Sequence, residues 1–162
     1  MTIAIYPGSF DPFTNGHLDI AMRSSRLFEK LVIGIFDHPT GKNLLFSTED
    51  RLKITRASVA HIPNIEVLPY TELTGEFARR VNAKVMVRGL RMGGDFESEF
   101  TLSMMNRKLF PDIEQIYLIA SVEYQFVSSS LLKEAASLGG QIESLVPAPV
   151  AAALKIKFSK QN

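Results

Sequence analysis

The chain contains no cysteine. Disulfide staples, a thiolate nucleophile and cysteine-bound zinc are therefore excluded. Histidine is nearly as scarce. His17, His38 and His61 lie far apart, and no pair has the spacing that puts two imidazoles on one helix face, so no metal site is expected. Charge of either sign is not in excess: 18 Lys and Arg against 17 Asp and Glu give a formal net charge of +1. A broad nucleic-acid or membrane surface is not expected, although a small basic cluster remains compatible with that balance. No apolar run is long enough to cross a bilayer, and Met1 leads straight into a short strand-like run without a signal-peptide pattern. The expected location is the cytoplasm. The phosphate loop GxxxxGK[ST] is absent, and so is GxGxxG, which leaves P-loop chemistry and dinucleotide reduction unsupported. Repeats, low-complexity tracts and linkers are also missing, so residues 1–162 read as one domain.

What is present alternates. Strand-like runs fall at 3–6, 31–36, 65–69, 84–88 and 115–120. Helix-like patterns fall at 16–28, 48–61, 71–81, 95–109, 129–137 and 147–158. Several of the strand-like runs are continuously apolar, as expected of strands covered on both faces. The run at 65–69 is broken by Glu66 and belongs nearer an edge. This alternation predicts right-handed βαβ units and an α/β fold: a doubly wound, Rossmann-like, parallel five-stranded sheet with helices on both faces. Ligands of such sheets gather beyond the carboxyl ends of the strands, near the switch in strand order. Ser9, His17, Lys42, Thr74, Arg88, Arg91 and the segment from Tyr124 to Ser130 all follow strands and are expected on that rim. Residues 37–46, with Pro39 and Gly41, read as a surface loop.

The sharpest local signal is Pro7-Gly8-Ser9-Phe10-Asp11-Pro12-Phe13-Thr14-Asn15-Gly16-His17. A strand ends, a turn-rich loop follows, and a helix begins with a histidine in its first turn. Unpaired N–H groups and the helix dipole make that place attractive to anions. His17 could donate to a phosphate oxygen that gains charge in a transition state, and Gly16 would allow close backbone approach. The plainer reading is a polar residue early in a helix capped by Thr14 or Asn15. Arg88-Gly89-Leu90-Arg91 offers two guanidinium forks at a strand end, or alternatively arginines paired with Asp95 or Glu97. Ser128-Ser129-Ser130 reads as a helix start. Simple capping needs one serine, so the other two point to a second phosphate cradle beside His17. Lys42 is either a solvated loop lysine or one that closes over phosphates. Glu99 is either solvated or a ribose contact. Met104, Met105 and Leu102 read as core or pocket wall. No general base accompanies His17, which suits a nucleophile that is already ionised, such as a phosphate monoester.

Gly8-Ser9-Phe10-Asp11-Pro12 with Thr14-Asn15-Gly16-His17 resembles the signature of the nucleotidylyltransferase superfamily. Arg88-Gly89-Leu90-Arg91, Asp95-Phe96-Glu97, Met105-Asn106 and Ser128-Ser129-Ser130-Leu131-Leu132-Lys133-Glu134 extend the resemblance, nearly over the whole chain, to the bacterial phosphopantetheine adenylyltransferases. That resemblance implies reversible transfer of AMP from ATP to 4′-phosphopantetheine, giving dephospho-coenzyme A and pyrophosphate in coenzyme A biosynthesis. It implies His17 as transition-state stabiliser, with Lys42 and Arg91 as further catalytic groups. ATP would be held by Ser9, Phe10, His17, Gly89, Leu90, Arg91, Glu99, Tyr124, Gln125, Phe126, Val127, Ser128, Ser129 and Ser130. The acceptor would be held by Ser9, Lys42, Thr74 and Arg88. It further implies Mg2+ carried on the ATP phosphates with no protein metal cage, a homohexamer, and feedback inhibition by coenzyme A. Ser9 stands where some relatives have threonine, and Tyr124 where others have tryptophan. Competing readings are a sister transferase acting on nicotinate mononucleotide or glycerol phosphate or using CTP, and a non-catalytic nucleotide-binding regulator. A tRNA synthetase fragment lacks its KMSKS-like loop here.

Overall fold

The computed structural model describes residues 2–41, 43–93 and 95–159. Five parallel strands form one sheet: β1 (Ile3–Gly8), β2 (Lys30–Phe36), β3 (Ile65–Tyr70), β4 (Val85–Leu90) and β5 (Glu114–Ile119). Six helices connect or follow them: α1 (Asn15–Leu27), α2 (Thr48–Val59), α3 (Thr74–Arg80), α4 (Asp95–Leu109), α5 (Ser129–Ser137) and α6 (Ala148–Ser159). A 3-10 turn, Val122–Tyr124, lies between β5 and α5. Among the described residues no helix is long and apolar enough to cross a membrane.

The strand order is β3-β2-β1-β4-β5, which reverses direction at β1. Alternate residues of the central strands feed two cores. Ala4, Tyr6, Leu31, Ile33, Ile35 and Val87 pack with α1, α2, α5 and α6. Ile5, Val32 and Met86 pack on the other face with Phe77 and Ala78 of α3 and with Phe110 and Ile113. Burial on both faces is why these strands are apolar without alternation. Glu66 and Pro69 lie in β3, which is an edge strand as expected, since an edge tolerates a residue with no N–H to donate.

Element boundaries differ from the sequence expectation at a few places. The helix expected from 71 starts at Thr74, because Leu73, at φ −58° and ψ 141°, is not helical; the Thr71 N–H just before it is taken by the Glu72 carboxylate at 3.0 Å. The helix expected to reach 61 stops at Val59, and the chain turns through Ile62 N–H to Val59 C=O ahead of Pro63. Strand β4 runs through Gly89 and Leu90, so Arg88 and Gly89 lie within the strand rather than after it. Leu102, Met104 and Met105 are exposed, not core, and α4 has no buried residue.

The strand junctions that matter lie at the carboxyl ends. β1 and β2 stay in register through Gly8 and Ile35, whereas β1 and β4 pair only at Ala4–Val85 and Ile5–Met86. Past those pairs the two strands part, which opens a crevice at the switch point. Arg51 of α2 holds the rim on the β2 side. Its guanidinium is buried and donates to the carbonyls of Ser9, Phe36 and Asp37 and to Thr48 Oγ1, each at 2.8 Å. Burial pulls its pKa down, against the opposing pull of Asp11 and Asp37.

Two stability predictions follow from this packing. A Cβ at Gly75 would overlap the root of the buried Phe110 ring, which cannot swing aside. Gly75→Ala should therefore lose about 2 kcal/mol by urea unfolding, and an unchanged midpoint would contradict that contact. Arg51→Met would orphan several buried acceptors and should lose about 3 kcal/mol or more. A loss under about 1 kcal/mol would show that these carbonyls find other partners.

Candidate active site

The crevice is a cleft of about 300 Å³, floored by Tyr6, Pro7 and Gly8 of β1 and walled by Arg88 and Gly89 of β4 and the first turn of α5. Backbone pairing between β1 and β4 has ended here, and a side chain spans the gap: Arg88 Nη1 reaches the Pro7 carbonyl at 3.4 Å. The loop after β1 carries a cis peptide at Asp11-Pro12 and a left-handed Phe10, φ 47°. For a bulky residue that φ is unfavourable and persists only where packing demands it. The Phe10 ring is buried and makes edge contacts with Tyr6 and His17, at centroid distances of 5.2 and 5.0 Å. Gly8 makes room for it, since a Cβ there would stand 3.0 Å from the ring.

Thr14 is the N-cap of α1, and its relation to His17 is reciprocal. The Thr14 hydroxyl accepts the His17 N–H at 3.3 Å, and His17 Nδ1 accepts the Thr14 N–H at 3.0 Å. This is a capping box with histidine in the place usually held by Glu or Gln. An amide N–H can only donate, so Nδ1 must be the bare nitrogen of the ring. In the neutral imidazole the proton then sits on Nε2, which makes that atom the ring's donor. The ring also packs against Phe13 at 5.6 Å. The plainer reading of this segment, a helix start capped by Thr14, is correct, and it is the same interaction that sets the histidine's tautomer.

The two arginines are both paired. Arg88 makes a two-pronged contact with Glu99, Nε to Oε2 at 2.8 Å and Nη2 to Oε1 at 2.6 Å. Burial works against the charge on Arg88, but the Glu99 carboxylate outweighs it and the pKa rises. Arg91 is bound to Asp95 through Nε at 2.9 Å and reaches the Val127 carbonyl through Nη1 at 2.7 Å. Asp95 was one of the two partners expected from sequence; Glu99, not Glu97, is the other. A guanidinium has five N–H groups, so each arginine retains donors for an anion while its plane is held fixed. The buried Tyr6 hydroxyl sits close to both. Burial pushes its pKa up while Arg88 and Arg91 pull the other way, and it stays a neutral phenol.

The third wall is the start of α5. Ser128 caps it by accepting the Leu131 N–H at 3.1 Å, and Ser129 Oγ donates to the Pro12 carbonyl at 2.9 Å. Ser130 and the first-turn amides remain at the cleft, where the helix dipole favours an anion. The loop leading into α5 is pinned from α1: Asp19 Oδ2 accepts the Ser121 N–H at 3.1 Å, and Arg23 Nη1 reaches the Ile119 carbonyl at 2.7 Å.

Of the residues singled out from sequence, Ser9, Phe10, His17, Arg88, Gly89, Arg91, Glu99, Val127, Ser128, Ser129 and Ser130 line this one cleft. The others stand around it. Leu90 pairs with Ile119. Tyr124 lies against Gly16, where an added Cβ would approach its Cβ to 3.4 Å. Gln125 accepts the Met92 N–H at 2.7 Å, and Phe126 is exposed. Thr74 lies at the start of α3, with its hydroxyl 3.3 Å from that of Tyr70. Lys42 lies outside the described residues. Sequence reasoning passed over Asp11, Arg51, Asp19 and Lys133, which hold the site's loops. Asp11 stands inside the signature segment and could have been flagged there. The burial of Arg51 had no local signal.

A cytidylyltransferase-like family model matches residues 5–135. The chain is 52% identical over 161 residues to the phosphopantetheine adenylyltransferase of Roseiflexus sp. (strain RS-1), covering 99% of this chain and 100% of the relative. It is 48% identical over 155 residues to the phosphopantetheine adenylyltransferase of Herpetosiphon aurantiacus, covering 96% and 93% of the two chains. It is 45% identical over 162 residues to that of Desulforudis audaxviator, covering 100% and 99%. Likeness of this extent, over nearly the whole length of each chain, settles the family: the chain belongs to the phosphopantetheine adenylyltransferases, on a cytidylyltransferase-like fold.

Proposed function

We propose that this cleft transfers the adenylyl group of ATP to 4′-phosphopantetheine, releasing pyrophosphate and forming dephospho-coenzyme A. The observation that carries the reading is the Thr14 N–H bond to His17 Nδ1 at 3.0 Å, which puts the proton of a neutral ring on Nε2, in one cleft with Arg88, Arg91 and the start of α5. An oxygen of the acceptor phosphate forms the new bond to the α-phosphorus. The bond from that phosphorus to the α–β bridging oxygen breaks, and pyrophosphate leaves with the electron pair. The nucleophile is already ionised, so no base is needed, and catalysis is positioning plus charge stabilisation. His17 donates to the α-phosphate oxygen as its charge grows. Arg91, Ser9, Phe10 and the segment through Ser130 hold the triphosphate and nucleoside. Arg88, with Lys42 and Thr74, holds the acceptor, and Glu99 acts on the ligand by keeping the Arg88 fork in its plane.

Magnesium would arrive on the triphosphate. Among the described residues no group of three or more His, Asp and Glu side chains could hold a metal. The two cleft carboxylates, Asp95 and Glu99, are already committed to arginines. The lining supplies donors for phosphate oxygens and so suits an ion carried by the nucleotide. A homohexamer is part of the same reading. The outer face of α4 exposes Phe96, Phe100, Met104, Met105 and Leu109, an apolar area that further copies would cover. Inhibition by coenzyme A and a cytoplasmic location go with a nucleotide-using step of coenzyme A synthesis.

Pyrophosphate release from MgATP, with 4′-phosphopantetheine and with nicotinate mononucleotide or glycerol phosphate as controls, tests the assignment. Release only with 4′-phosphopantetheine is expected. Release with a control acceptor moves the substrate to a sister transferase, and nucleotide binding without release with any acceptor favours a regulator. His17→Ala should lower kcat about a hundredfold or more while ATP affinity changes only a few-fold. Equal losses in binding with kcat unchanged would remove the histidine from the transition state.

A further inference from the structure

Asp11 follows Phe10 in the loop that leads to His17, yet its carboxylate is 3% exposed and does not line the cleft. It is fully engaged. Oδ1 accepts the Phe46 N–H at 2.9 Å, and Oδ2 accepts the Leu45 N–H at 2.8 Å and the Lys133 ammonium at 2.8 Å. These partners come from separate parts of the site. Leu45 and Phe46 close the loop between β2 and α2. Lys133 lies about one turn along α5 from Ser129 and Ser130, which line the cleft. Ser129 fastens the same two segments a second time through the Pro12 carbonyl at 2.9 Å.

We propose that Asp11 and Lys133 are positioning residues for the transfer step. Their ion pair sets the spacing between the histidine-bearing loop and the start of α5, and it anchors the far end of the 37–46 loop. In-line displacement needs both phosphates placed within a fraction of an ångström, and displacements near 1 Å cost about 100-fold. Without Lys133, two backbone N–H groups still face Asp11 and Arg51 still attracts it, but the carboxylate loses the ammonium bonded to it and its loop must shift to compensate. The inference rests on the transferase reading above.

The test is steady-state kinetics, ATP affinity and amide exchange for Lys133→Met, Lys133→Arg and the double variant Asp11→Asn/Lys133→Met. Lys133→Met should lower kcat about 10- to 100-fold with KM values changing less than about threefold, and Lys133→Arg should recover most of the loss. The double variant removes the buried carboxylate together with its ammonium; the asparagine oxygen can accept one of the two backbone N–H groups but its amide nitrogen cannot accept the other, so it should fold with some loss of stability and keep the kcat defect. Exchange at the Leu45 and Phe46 amides should quicken in both methionine variants. A folded double variant with parental kcat, or unchanged exchange at those amides, overturns the proposal. If the parent chain gives no 4′-phosphopantetheine-dependent pyrophosphate, the transferase reading fails instead, and exchange with ATP affinity still decides whether the pair places the loops.

Discussion

The reciprocal bond between Thr14 and His17 is the interaction on which the site depends. A helix start leaves several N–H groups without intrahelical partners. Here the Thr14 hydroxyl answers one of them, and the His17 ring answers the N–H of Thr14 itself. A Glu in this place would satisfy the same bond but bring only acceptors and a negative charge, and a Gln would bring an uncharged amide donor on a longer, more flexible stem. An imidazole has a second nitrogen, and fixing the first one as acceptor decides what the second can do. The capping interaction that starts α1 thus also sets which nitrogen of the neutral ring carries the proton. Tyr6, Phe10 and Phe13 surround the ring and limit its rotation. The geometry also requires β1 and β4 to part after Ile5 and Met86, since continued pairing would fill the space before the histidine.

Around that point the structure relies on buried and half-buried charge in an otherwise apolar fold. Arg51 ties the ends of β1 and β2, Asp11 gathers two loops and α5, and Arg88 with Glu99 spans β4 and α4. Such groups contribute little net stability, because desolvation offsets most of their attraction, but removing one partner is costly. Apolar contacts could hold the strands equally well. They could not hold loops whose backbone N–H and C=O groups need partners at the carboxyl edge of the sheet. Polar groups with fixed geometry therefore appear where the chain leaves regular structure, which is also where the ligand must bind.

Much of this was readable from residues alone, for identifiable reasons. Continuous apolar runs such as 31–36 mark strands buried on both faces, and Glu66 with Pro69 marks an edge. Arg91 and Asp95 are close enough in sequence that their pairing could be anticipated. Arg88 and Glu99 are eleven residues apart across a turn and a helix start, so their partnership depends on the angle at which α4 leaves the sheet. Arg51 sits among polar and charged neighbours on α2, and nothing in that pattern distinguishes a buried arginine from a solvated one. Met104 and Met105 read from sequence as core or pocket wall because apolar residues need cover, and they line neither the core nor the cleft. In the single chain they are exposed, because composition indicates that a residue is to be covered and not by what.

The most direct test of the account is the protonation pattern of the His17 ring, read from a long-range proton–nitrogen correlation spectrum of the free protein near neutral pH. The account predicts a bare Nδ1 and a protonated Nε2, with the pattern lost when Thr14 and its loop are perturbed. A proton found on Nδ1 with Nε2 bare would contradict it, because the ring could then neither accept the Thr14 N–H nor present a donor to the phosphate.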